Sequence, residues 1–138
     1  MTTGRTLRYV DSSVEASRDA ADLLERALAG EPDAVAGRFA AVVHRAGLTG
    51  AYQVAWHLAA ATVGRDLPAG NWRLDYPDID QAPYDKRWVA RFLSAYANDD
   101  PSTGTALFHA AQADGQLTDC LLTLAGSAAA TLRMRCHR

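Results

Sequence analysis

The sequence predicts an all-α protein, and three observations carry that expectation. Apolar residues recur with helical spacing in six stretches, each bounded by Gly or Pro. No stretch alternates with the period of two that a half-buried strand needs, and β-branched residues are sparse. The chain also repeats itself: residues 18–62, moved forward by 69 positions, fall on residues 87–131 without a gap. Among the twelve coincident positions are Arg18/Arg87, Leu24/Leu93, Pro32/Pro101, Phe39/Phe108, Leu48/Leu117 and Thr49/Thr118. Self-similarity at a fixed offset marks an architecture in which one supersecondary unit buries its apolar face against its copy. The expected fold is a six-helix bundle of two tandem three-helix repeats with pseudo-two-fold symmetry. Repeat one covers 13–64, a crossover loop 65–83 and repeat two 84–133, all within one helical domain over 1–138.

The first helix, 13–29, is read from Val14, Ala20, Ala21, Leu24 and Leu28, with Ser12 or Ser13 as cap and Gly30 as stop. Pro32 opens a second helix, because proline at the first helical position gives up an N–H that would have no partner there. That helix carries Val35, Phe39, Val42 and Val43 to Gly47, and the third runs over 49–63. The second copy repeats the plan over 84–97, 101–113 and 117–133. The third and sixth helices are apolar almost all round, which places them at the shared core. Their Ala runs at 59–61 and 128–130 allow close backbone approach, while the other four helices wrap outside.

A net charge of −2 on 138 residues leaves no electrostatic footprint for nucleic acid or an anionic membrane. The nearly uncharged run 120–132 is too short to span a bilayer. No apolar segment follows Arg5 and Arg8, so no secretory signal is expected. Two cysteines without a CxxC spacing point to a reduced, cytoplasmic protein. Thirteen Arg to one Lys, with abundant Ala, is the composition of a GC-rich bacterial genome.

Chemistry is thinly marked. Asp75, Asp78 and Asp80 are interrupted by Pro77 and lack the glycine and distal glutamate of a calcium loop, so no metal is expected. The four histidines show no metal spacing, no glycine-rich loop cradles a phosphate, and Ser127 has no strand-to-helix elbow. No catalytic residue and no cofactor are therefore assigned. The turn Ala46-Gly47-Leu48-Thr49 has the look of a helix-turn-helix, but Gln53 stands where that motif wants an apolar residue. The helix after it, over 50–61, also holds no Lys or Arg for phosphates.

Three functions follow in order. The first is a non-enzymatic protein–protein interaction or regulatory module, with a homodimer as one form of it. Its contact surface is Trp72, Asp75, Tyr76 and Asp78 in the crossover loop with Tyr84 and Trp88 beside it, since aromatic anchors dominate interface energy. The second is a small-molecule binder whose pocket lies between the repeats, lined by Tyr52, Gln53, Trp56 and His57 and closed by the sixth helix. The third is a helix-turn-helix-like DNA-binding regulator.

Overall fold

Helices account for nearly all of the backbone in a computed structural model, which describes residues 3–63 and 81–136 and the side chains of 14–63 and 81–134. Among the described residues five helices follow one another: α1 (Thr3–Leu28), α2 (Pro32–Val63), α3 (Tyr84–Ala97), α4 (Pro101–Ala113) and α5 (Leu117–Cys136). No strand occurs among the described residues.

Six helices are expected and five are counted among the described residues; the difference lies at a kink at Gly47, where the second expected helix ends. That residue sits at φ 73 and ψ −171 inside α2, a left-handed, non-helical conformation that glycine adopts without steric cost. Helix resumes at the next residue, so the break inserts no linker and the expected second and third helices run on as one. In the other half Gly115 has φ 69, but Gln116 separates it from Leu117, and α4 and α5 stay distinct. α1 also begins ten residues earlier than expected, because nothing after Gly4 interrupts helix and Ser12 and Ser13 lie inside it rather than capping it.

The turn that ends α1 is a Schellman motif. Gly30, at φ 74, donates its N–H to Ala27 O at 3.1 Å, and Glu31 N–H reaches Arg26 O at 3.1 Å. The turn that ends α3 makes the same bonds 69 positions on: Asp99, at φ 51, donates to Tyr96 O at 3.0 Å, and Asp100 to Ala95 O at 2.8 Å. Val35 N–H to Glu31 O and Gly104 N–H to Asp100 O recur at the same offset. So do the hydroxyls of Thr62 and Thr131, which donate to Leu58 O and Ser127 O one turn earlier.

One buried cluster draws on all five helices. Leu23 comes from α1, Val35, Phe39, Val54 and Leu58 from α2, Phe92 from α3, Phe108 from α4, and Cys120 and Leu124 from α5. Full burial of a Leu or Phe side chain stabilises by about 1.5–3 kcal/mol each. α2 and α5 pack together at the centre, with α1 against both; α3 packs on α4, α5 and α2. Ala59, Ala128 and Ala129 are fully buried, which lets the central helices approach closely.

Polar contacts fix α1 on α2. Asp22 accepts from Arg26 at 2.9 Å and Arg38 at 2.6 Å, and these two guanidinium groups hold its carboxyl below the usual range. Asp19, buried, accepts from Arg45 at 2.5 Å. Arg133 donates to Leu28 O at 2.6 Å, placing a cation at the negative end of α1's dipole.

Candidate functional site

A cavity of about 550 Å³ lies between α4 and the part of α2 that follows the break at Gly47. After the break, Tyr52, Gln53, Trp56 and His57 stand at helical spacing on one side of α2, while Ala51, Val54, Ala55 and Leu58 turn to the core. All four cavity residues are half-buried. Tyr52 and Trp56 stack with centroids 5.5 Å apart and planes at 28°. Behind them Phe92 meets both rings edge-on, at 6.1 and 5.6 Å, and itself stacks on Trp88 at 4.7 Å. Tyr96 adds an edge contact to Trp56 at 5.1 Å. The wall is thus braced from the core side, and such pairs add about 0.5–1.5 kcal/mol each beyond area burial.

The facing wall is α4. Asp100 caps it, accepting from Thr103 N at 3.2 Å and from the Thr103 hydroxyl at 2.6 Å, and Pro101 follows at the first helical position. Those bonds hold the Asp100 carboxyl below the usual range. From this fixed start Pro101, Thr105, Phe108 and His109 line the cavity. Gly104 brings the two walls together: a Cβ there would lie 2.7 Å from Trp56 Cζ3 and 3.0 Å from the Tyr52 hydroxyl. Across this contact the Tyr52 hydroxyl donates to Pro101 O at 3.3 Å, and Thr105 donates to the same carbonyl at 2.8 Å. Leu48 and Thr49 complete the floor next to the break.

Burial pushes the Tyr52 hydroxyl up and the His57 imidazole down, so both are held in their neutral forms near pH 7. None of the described residues that line the cavity is Asp, Glu, Lys or Arg. The arrangement offers apolar and aromatic surface with amide, hydroxyl and imidazole groups at its margin. A smaller cavity of about 90 Å³ shares Thr49 and Gln53 and leads to Asp19 and Arg45.

The structure brings Tyr52, Gln53, Trp56 and His57 together as one wall, but the helix opposite is α4, not the last helix. α5 instead packs along α2 in the core. Thr105, His109 and Pro101 were missed by sequence reasoning, although their i, i+4, i+8 spacing marks one face of α4. Trp88, grouped above with aromatic anchors for a partner, lies in the core at 3% exposure, and its indole N–H donates to Leu107 O at 2.8 Å. It packs beneath the cavity wall and offers a partner no surface. Tyr84 is half-buried and donates to Asp114 at 2.6 Å, tying the start of α3 to the end of α4. Trp72, Asp75, Tyr76 and Asp78 lie outside the described residues. Among the described residues no three metal-ligating side chains come together, and no helix is long and apolar enough to cross a membrane.

Comparison of the chain with protein-family models, with curated proteins and with solved structures gives no match.

Proposed function

We propose that this chain is a small-molecule-binding helical domain whose site lies between α2 and α4. One observation carries the reading: a cavity of about 550 Å³, within the range of ligand pockets, has an aromatic wall braced from behind and a few convergent polar groups. The partner-binding surface first expected has lost Trp88 to the core, and its loop residues are not described. The helix that would read DNA buries Ala51, Val54, Ala55, Leu58 and Ala59 in the core and turns its remaining side to the cavity, which favours neither groove docking nor phosphate contact. Binding of uncharged bicyclic fragments to the isotopically labelled chain tests the proposal. Amide shifts gathered at Tyr52, Trp56, His57, Thr105 and His109, and abolished by Thr105→Trp, support it. Shifts scattered over the surface, or none, contradict it.

We also propose that the fold arose by tandem duplication. The recurrence of the α1–α2 turn in the α3–α4 turn, bond for bond at an offset of 69, supports this, as does the correspondence of Phe39 with Phe108 and Ala59 with Ala128 in the buried cluster. Superposing residues 18–62 on 87–131 in a crystal structure tests it: matching paths are expected, and unrelated paths would contradict it.

A further inference from the structure

The two halves of the chain, compared position by position, sort the cavity's ten lining residues into two kinds. Four have the same residue 69 positions away: Leu48 and Leu117, Thr49 and Thr118, Pro101 and Pro32, Phe108 and Phe39. These open helices or fill the core, duties that both halves share. The other six all differ, and all in one direction. Tyr52, Gln53, Trp56 and His57 face Leu121, Leu122, Ala125 and Gly126 as counterparts; Thr105 and His109 have Ala36 and Ala40. Every aromatic or hydrogen-bonding group is on the cavity side, and every counterpart is aliphatic or glycine. The environments differ as well: Leu121 and Ala125 are buried in the core, whereas Tyr52 and Trp56 are half-buried at the cavity.

We infer that the site takes one flat, uncharged aromatic ring system with a hydrogen-bonding edge, its face against Tyr52 and Trp56 and its edge read by Gln53, His57 and His109. This rests on the small-molecule reading above. The lining set favours an uncharged ligand: with no Asp, Glu, Lys or Arg among the described lining residues, an ion would find no fixed counter-charge there. Tyr52 and Trp56 stack on each other and both line the cavity, which gives it aromatic surface for such a ring to pack on. The amide of Gln53 supplies both a donor and an acceptor, and a neutral imidazole supplies one of each, which matches a lactam or amide edge. Burial keeps His57 in that neutral state.

The test titrates the full chain at pH 7 with three probes of similar size: quinazolinone, quinolinecarboxylate and naphthalene. Quinazolinone is expected to bind about tenfold tighter than either other probe, the scale of one or two neutral hydrogen bonds. Replacing two readers by their counterparts, Gln53→Leu with His109→Ala, is expected to erase the preference of quinazolinone over naphthalene. Equal binding of quinolinecarboxylate at the same residues would overturn the uncharged-ligand inference while the pocket reading stands. Equal binding of naphthalene and quinazolinone to the wild-type chain would overturn the role of the polar readers alone. Failure of all three probes would overturn the pocket reading and this inference with it.

Discussion

Gly104 on α4 and Trp56 on α2 stand so close that a Cβ on the glycine would lie 2.7 Å from the indole Cζ3. The cavity opens beside this contact, so its shape depends on the absence of one methyl group. Gly104→Ala regains about 1 kcal/mol of helix propensity. Against that, overpacking a ring already held by Phe92 and Tyr96 costs about 1–3 kcal/mol. The expected result is a net loss of up to about 2 kcal/mol with a displaced Trp56 indole resonance. Gly37, in the same kind of helical backbone, has nothing within 4 Å of a built Cβ. Gly37→Ala is expected to stabilise by about 0.5–1 kcal/mol. Thermal melts of the two variants check the pair, and equal shifts would contradict the geometry.

The break in α2 gives a second expectation. Gly47→Ala forces an L-residue to φ 73 and is expected to cost about 1–2 kcal/mol. Gly50→Ala places a Cβ 2.3 Å from that of Ala46, so the backbone on one side of the break must move. Both variants should weaken the near-ultraviolet circular dichroism of the aromatic wall, because Tyr52 and Trp56 follow directly. An unchanged aromatic spectrum in both would show that the break does not position that wall.

Phe92 is fully buried and touches Tyr52, Trp56 and Trp88. Phe92→Ala is expected to destabilise by about 3–5 kcal/mol, a large share of the 5–15 kcal/mol typical of a folded domain. Phe92→Leu keeps most of the volume, and less than about 1.5 kcal/mol should be lost. Urea unfolding of both variants measures the difference; a similar small loss in each would place Phe92 outside the framework of the wall.

Much of this arrangement was legible in the sequence. Helix starts at Pro32 and Pro101, the stop at Gly30 and the apolar face of Phe39 followed from local rules that hold in almost any tertiary setting. The wall of Tyr52, Gln53, Trp56 and His57 was legible for the same reason, since four neighbours on one helix share a face whatever packs against them. What was hidden depends on distance between helices. Gly104 reads as a weak point in a helix until Trp56 is placed opposite it. Trp88 looked like an exposed anchor because its indole partner, the Leu107 carbonyl, lies nineteen residues away on another helix. Gly47 read as the end of one helix, with the next starting at Thr49, because sequence gives no sign that helix resumes at once.

Alkaline pH offers a further check. The Tyr84 hydroxyl donates to the Asp114 carboxylate, and that bond pushes its pKa from 10.0 to about 12. The folded chain therefore holds this proton more tightly than the unfolded chain. Its contribution to stability is full below pH 10 and is lost as pH climbs through about 12. Cys120, pushed from 9.0 to about 12 mainly by burial, acts in the same direction. Comparing the wild-type chain with Tyr84→Phe removes the shared cysteine contribution. The decline in urea midpoint between pH 9 and 11 is expected to be shallower in the variant; parallel declines would mean that the bond contributes nothing.

The most direct measurement of the central claim is a set of intermolecular nuclear Overhauser effects from bound quinazolinone to the full chain. Contacts from the probe's ring protons to the Trp56 indole and the Tyr52 and His109 rings, all in one bound pose, are the expected result. Saturable binding whose contacts fall elsewhere on the helices, with none of these three rings involved, would contradict a ligand site between α2 and α4.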